Sequence, residues 1–302
     1  MMNQDNKRVV CFGEVLWDVM PTGRKPGGAP MNVAYHLRRL GIDSTVISRI
    51  GADPAGDGMR SFLNGIGIST ALVQVDHHQA TSEVLATIGS HNEVSYEIVA
   101  PVAWDFITTD PHSVKAVAQA DAFVYGSLAV RSPQSRETLF ELLRHARYRL
   151  FDVNIRPPHY NRETIERLLS TADAVKLNHH ELLEISGWLG NRSDSEYAGA
   201  VLLQDRYGLA EIIVTKGEHG ASYYTPSFRY DYPAVPVSVK DTIGSGDSFL
   251  AAFLAQKLRG ESAESMLSFA TTLGAYVTTQ SGACPPYAAT DLNRFMWEKY
   301  LS

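Results

Sequence analysis

Cysteine is nearly absent: the 302 residues hold two, Cys11 and Cys284, far apart and in no CxxC pattern. That excludes a disulfide framework and a cysteine-built zinc site, and it fits a reducing cytoplasm. A basic surplus is also missing, because 27 Lys and Arg stand against 33 Asp and Glu for a net charge of −6. No nucleic-acid partner is expected from such a balance. Nor does any stretch read as a membrane span. The longest uncharged one, Ser265–Thr290, is rich in Thr and Ser, carries Gly274 and Gly282 and includes Pro285-Pro286, so it fails as about 20 apolar residues. Met1–Arg8 lacks the apolar centre of a signal peptide. Several catalytic signatures are absent as well: no GxxxxGK[ST] phosphate loop, no His-Arg-Asp or Asp-Phe-Gly, and no GxSxG elbow. His180-Glu181-Leu182-Leu183-Glu184 lacks the second histidine of a zinc HExxH site.

What the chain does have is material for a core, with 44% hydrophobic and 20% charged residues. Short apolar runs alternate with amphipathic stretches. Arg8–Phe12, Ser44–Ile50, Ala122–Tyr125, Leu150–Val153, Ala174–Leu177 and Glu211–Thr215 read as buried strands, and Pro133–Arg147, Asn161–Ser170 and Glu196–Tyr207 as helices. The pattern predicts an α/β fold with a doubly wound, mainly parallel sheet and right-handed crossovers. Thr81–Gly89 and Glu93–Val99, joined by the polar Ser90-His91-Asn92, predict a hairpin, and Glu14–Pro21 follows the first strand with no helix between. The expected organisation is one domain over 1–302 with a small β-sheet lid built from about 14–26 and 76–104.

Two constellations stand out. Gly27-Gly28-Ala29-Pro30-Met31-Asn32 opens a helix that runs to about Leu40, with Pro30 in its first turn and Gly41 placed to stop it. Read alone, the glycine pair is either a tight turn with a cap or a place where a ligand meets backbone. Upstream, Asp18 lies just past the end of the first strand, where open α/β sheets bind ligands; it is equally well a surface residue. The second constellation is Asp241-Thr242-Ile243-Gly244-Ser245-Gly246-Asp247-Ser248, between strand-like Pro236–Val239 and a helix from about Ser245 to Arg259. Gly-Ser-Gly at a helix N-terminus presents free N–H groups and the positive end of the dipole to an anion. Asp247 is then either a capping carboxylate or a general base at that anion hole, and the dipole favours its ionised form well below neutrality. The chemistry suited to such a site is phosphoryl transfer, which needs positioning and charge stabilisation.

Together the two constellations, about 200 residues apart, resemble the N- and C-terminal signatures of the PfkB (ribokinase-like) carbohydrate kinases, and the likeness runs over essentially the full length. Gly13–Asp18 and Asp152-Val153-Asn154-Ile155-Arg156 are most similar to the fructokinases within that family. The resemblance implies that Asp18, Gly27, Gly28 and Asn32 hold sugar hydroxyls, with Arg156 on the sugar or phosphate side. It implies that Asp247 takes the proton of the attacking hydroxyl while Gly244, Ser245 and Gly246 stabilise the phosphoryl group. Asn178 and Glu181 match an Asn-x-x-Glu motif that organises phosphate and Mg2+, Glu181 through water. Thr215, Gly217 and Gly220 belong to a nucleotide loop. Asp241, Ile243 and Gly282 fall where many relatives bind K+. The implied cofactors are ATP and Mg2+, with K+ as a further cation. D-Fructose is the preferred substrate, with ribose, 2-keto-3-deoxygluconate or another hexose open, as is a non-catalytic sugar- or nucleotide-sensing relative. The implied partners are a small sugar and ATP, with no nucleic acid and no membrane. A lid sheet also has edges that a second subunit could cover in a homodimer.

Overall fold

The computed structural model describes residues 7–20, 23–88 and 94–300. Its first half runs β1 (Arg8–Phe12), β2 (Leu16–Met20), β3 (Gly23–Gly27), α1 (Ala29–Arg39), β4 (Asp43–Gly51), α2 (Pro54–Gly65), β5 (Val73–Asp76), β6 (Ser82–Ile88), β7 (Val94–Ile98), α3 (Pro111–Gln119), β8 (Ala122–Gly126) and α4 (Pro133–Leu143). The second half runs β9 (Arg149–Asp152), α5 (Arg162–Thr171), β10 (Ala174–Asn178), α6 (His179–Trp188), α7 (Glu196–Tyr207), β11 (Glu211–Thr215), β12 (Ala221–Tyr224), β13 (Arg229–Tyr232), α8 (Ser245–Leu258), α9 (Ala263–Thr278) and α10 (Ala289–Tyr300).

Strand β1 shows why the runs are apolar without alternation. Val9 and Cys11 enter a core shared with Leu37 of α1, Leu63 of α2, Leu250 of α8 and Leu273 of α9. Val10 and Phe12 enter a second core with Val117 of α3, Leu139 of α4, Leu168 of α5, Leu182 of α6 and Leu203 of α7. Successive side chains of a strand point to opposite faces, and both faces here are covered by helices. The nine strands order as β13-β12-β11-β10-β9-β8-β1-β4-β5. Every pair from β11 to β5 is parallel, and β12 and β13 add antiparallel strands at one edge. The order reverses at β1, which is flanked by β4 and β8, and the chain leaves it directly into Gly13 and Glu14.

A second sheet orders as β3-β2-β6-β7. Its strands depart from the expected 14–26 and 76–104: β3 runs on to Gly27, Asp76 closes β5 of the main sheet, and residues 103–106 form a 3-10 turn. The proposed Ser90-His91-Asn92 turn lies outside the described residues. Pro236–Val239 is a further correction, since it joins neither sheet and instead lines a cavity. Helix α4 ends at Leu143, short of Arg147. The uncharged stretch 265–290 is mostly α9, and among the described residues no helix is long and apolar enough to cross a membrane.

Helix α8 carries the fold's main message for function. Eight successive residues, Ser248–Ala255, are buried, so this helix is apolar on every side and sits inside the protein. Its N-terminus, with Gly244 to Asp247, therefore opens inside the molecule beside α1.

Candidate active site

Asn32 and Asp247, 215 residues apart, meet in a hydrogen bond: Asn32 Nδ2 donates to Asp247 Oδ2 at 2.8 Å. Both constellations are thus one place. Asn32 is buried in the first turn of α1, and Cys284 Sγ donates to its Oδ1 at 3.3 Å, leaving the amide nitrogen for the carboxylate. Asp18 stands across the β2–β3 ladder from Lys25, and its Oδ2 lies against the hydrogen side of Gly27, where any side chain would collide with it.

Carboxylates crowd this centre. Burial, then the Asp152 carboxylate, lifts the Asp247 pKa to about 6 against the pull of Lys176, Asn32 and Arg156. The expectation that the helix dipole keeps Asp247 ionised well below neutrality is thereby overturned: loss of water outweighs the dipole. Burial and the neighbouring Asp241 carboxylate likewise lift Asp18 to about 6.

Two further groups, Glu14 and Lys176, belong here that the sequence reading did not single out. Glu14 is buried at the end of β1; Oε1 accepts from Ala29 N at 3.1 Å, Oε2 has no partner, and burial pushes its pKa up to about 7. Lys176 on β10 is buried, and its Nζ donates to Asp152 Oδ1 at 2.9 Å. Burial works against its charge, but Asp152, Asp247 and Glu181 outweigh burial and raise its pKa. A Cβ placed on Gly246 would lie 3.0 Å from Lys176 Nζ, so the ammonium sits directly under the first turn of α8. The available signal was a lysine inside an otherwise apolar strand, since buried lysines need a partner.

The other expected residues fall on both sides. Thr215, Gly217 and Gly220 line a cavity of about 630 Å3 together with Thr242, Ser245 and Gly246. That volume suits a cofactor-sized ligand, and one end of the cavity is the Gly-Ser-Gly start of α8, the expected anion hole. Asn178 does not line it. Its side chain accepts from Glu181 N at 2.9 Å, and Glu181 Oε2 accepts from Asn178 N at 2.8 Å, a reciprocal cap of α6. Glu181 Oε1 accepts from Ile155 N at 2.8 Å, so it also positions the loop bearing Arg156. Arg156 itself is exposed and acts electrostatically on Glu14 and Asp247. Asp241 binds two loops: Oδ1 accepts from Ile243 N at 3.0 Å and Oδ2 from Gly282 N at 2.9 Å. Among the described residues, no three His, Cys, Asp or Glu side chains group as a metal centre. A divalent ion here would be held mainly by phosphate oxygens and water.

Helix α1 fastens the 283–287 loop to the site. Tyr35 OH donates to Pro285 O at 2.7 Å, and His36, fully buried, pairs through Nε2 with Ala283 O at 2.9 Å and through Nδ1 with Tyr287 OH at 3.0 Å. Burial holds the His36 pKa down at about 4 against an ordinary 6.5. The unfolded chain therefore binds one more proton between those values. This contribution to stability is complete above pH 6.5 and is lost as pH falls toward 4. Urea unfolding across that window is expected to show a His36→Gln variant losing less stability on acidification, by up to about 1.4 kcal/mol per pH unit. Equal pH slopes for the two proteins would remove His36 from this role. Glu14, Asp18 and Asp247 act in the opposite sense, since raised carboxylate pKa values favour the native state at lower pH, so the comparison must be made against the wild type at each pH.

A family profile described as pfkB family carbohydrate kinase matches residues 2–290. The chain is similar to the fructokinase of Klebsiella pneumoniae, 33% identical over 298 residues that cover 92% of this chain and 95% of the relative. The fructokinase of Salmonella typhimurium is 31% identical over 312 residues, covering 96% and 99%. Among solved structures, the fructokinase of Vibrio cholerae O395 in its fructose, ADP and calcium ion bound form superposes with a TM-score of 0.82 at 25% identity, over 96% of this chain and 99% of that one. The aminoimidazole riboside kinase of Salmonella enterica, complexed with aminoimidazole riboside and an ATP analogue, gives 0.81 at 25% identity, over 96% and 100%.

Proposed function

The chain belongs to the pfkB family of carbohydrate kinases, and from that premise we propose that it transfers the γ-phosphoryl group of ATP to a hydroxyl of D-fructose. It is an ATP-dependent sugar kinase with fructokinases as its curated relatives. The observation that carries the reading is the Asn32–Asp247 hydrogen bond, which joins the sugar-side helix to the anion hole. Fructose is favoured by the names of those relatives and by the fructose bound to the similar Vibrio enzyme. A coupled assay with MgATP across fructose, ribose, 2-keto-3-deoxygluconate and other hexoses is expected to give fructose the highest kcat/KM. A higher value for another sugar overturns the substrate, and no sugar-dependent ADP formation overturns the kinase reading.

In the proposed mechanism Asp18, Gly27, Gly28 and Asn32 hold the sugar so that one hydroxyl faces Asp247. Asp247 takes its proton as the sugar oxygen bonds to phosphorus and the bridging oxygen leaves with ADP. The N–H groups of Gly244 and Gly246, with Lys176 beneath them, hold the phosphoryl oxygens, joined by that of Ser245, which in the resting structure donates to Thr242 O at 3.3 Å. Mg2+, supplied with ATP, neutralises phosphate charge; the Glu181 carboxylate fits a contact through water, because both of its oxygens already accept backbone bonds. K+, where used, would lie against Asp241 and the backbone at Ile243 and Gly282, steadying the loops that Asp241 joins.

Asp18→Ala is expected to raise the sugar KM at least about tenfold and leave ATP binding alone, because a hydrogen bond to a charged partner contributes roughly 1.5–3 kcal/mol. An unchanged KM would take Asp18 out of the sugar site. The four-stranded sheet serves as a lid that excludes water from the phosphoryl group. Sugar should therefore slow hydrogen exchange in β6 and β7 of the wild type and much less in Asp18→Ala, whereas exchange blind to every phosphorylated sugar would make the sheet static. The open edges β3 and β7 are where a second copy would pair in a homodimer. Two free cysteines fit placement in the cytoplasm.

A further inference from the structure

Lys25 leaves the small sheet on the same face as Asp18, directly across the ladder. Its half-buried side chain does not stay over that sheet. The stem crosses Gly282, where an added Cβ would lie 2.9 Å from Lys25 Cδ and 3.5 Å from Nζ. The ammonium then donates to Ser281 Oγ at 2.6 Å, bridging 256 positions in sequence. Gly282 is fixed by Asp241, and the next residue, Ala283, is packed against Gly244, whose own Cβ would fall 2.6 Å from Ala283 Cα. The small sheet thus carries a positive charge to the loop that abuts the first residue of the anion hole.

The charges of the site give that placement a use. The Asp241 and Asp247 carboxylates both act electrostatically on Asp18. The buried cation beneath the hole, Lys176, is already bound to Asp152. A phosphoryl group entering there brings more negative charge. Lys25 already draws the Asp18 pKa down through its charge, and its hydrogen-bond acceptor, the neutral Ser281 hydroxyl, is a weaker one than a phosphoryl oxygen.

We propose that Lys25 is a catalytic residue for the phosphoryl transfer: its ammonium exchanges the Ser281 hydroxyl for an oxygen of the transferring phosphoryl group. The inference rests on the kinase reading above. Lys25 forms no covalent bond and keeps its protons; the sugar oxygen displaces ADP at phosphorus, and the hydroxyl proton goes to Asp247. The charge comes with the sheet that carries Asp18, so a bound sugar and a charged anion hole are coupled through two neighbouring strands.

The test uses Lys25→Met, Lys25→Arg and Ser281→Ala in the full chain, with thermal unfolding as the check that each folds. At saturating fructose, Lys25→Met is expected to lower kcat about 10²-fold and to leave the sugar KM within about threefold. Lys25→Arg should recover part of the loss. Ser281→Ala should keep wild-type kcat, because Ser281 is only the resting partner. Calorimetry in the presence of fructose should show Lys25→Met binding a non-hydrolysable ATP analogue about tenfold more weakly with ADP affinity unchanged. Wild-type kcat and analogue affinity in Lys25→Met would overturn the proposal. So would a raised sugar KM with kcat intact, which places Lys25 on the sugar, or an equal loss in Ser281→Ala, which makes the contact a tether. A wild type that phosphorylates no sugar fails the kinase reading instead, and this proposal falls with it.

Discussion

Asp247→Asn is expected to lower kcat by roughly 10²–10⁴-fold while fold and sugar binding persist. Asparagine keeps the shape and can still pair with Asn32, but it accepts no proton. The wild-type profile should carry the same signature. With the Asp247 pKa lifted to about 6 by burial and Asp152, kcat should climb with pH up to about 6 and then level off, since the base works only when ionised. Asp247→Asn should lose that limb along with its rate. A folded Asn variant with near wild-type turnover would remove Asp247 as the base.

Gly244→Ala is expected to cut kcat by roughly 10²–10³-fold, about the effect of losing one anion-hole donor. Gly244 caps α8 with φ +77°, a left-handed conformation that costs an L-residue about 1–2 kcal/mol. Its Cβ would also lie 2.6 Å from both Cα and Cβ of Ala283, so either the start of α8 or the 282–285 loop must move. Both carry the site. Gly246, by contrast, lies inside α8 and takes no positive φ. A Cβ there meets only the flexible end of Lys176 at 3.0 Å. Gly246→Ala should therefore be milder than Gly244→Ala, although Gly246→Val still crowds the phosphoryl position and is expected to lose turnover with sugar binding kept. The reverse ranking of the two alanine variants would mean that the hole is built around Gly246.

Much of the main sheet was readable because its strands are buried on both faces and end at clear breaks. Arg8–Phe12, Glu211–Thr215 and helix Glu196–Tyr207 were placed to the residue. Strand β3 was not, because Gly23-Arg24-Lys25-Pro26-Gly27 contradicts strand propensity at nearly every position. It forms as an edge strand that pairs with β2 alone. Pro236–Val239 misled in the other direction: its apolar residues cover the cavity and make no ladder.

The site divides the same way. Glycines and Asp247 announce themselves as local patterns at helix starts. Glu14, Lys176, Asp152 and Cys284 become part of the site only through contacts between distant segments, such as Cys284 with Asn32, 252 positions apart. No local pattern marks such residues, and the Asp247 pKa was misjudged for the same reason: the dipole is visible in sequence, but burial and Asp152 are not.

The most direct test of Asp247 as base in a single transfer is the stereochemistry at phosphorus. ATP made chiral at its γ-phosphorus with oxygen isotopes should yield sugar phosphate of inverted configuration, because the sugar oxygen attacks in line while Asp247 takes its proton. Retention would contradict this, since it requires two displacements with a phosphorylated enzyme group between them, and the sugar hydroxyl would then not attack ATP directly.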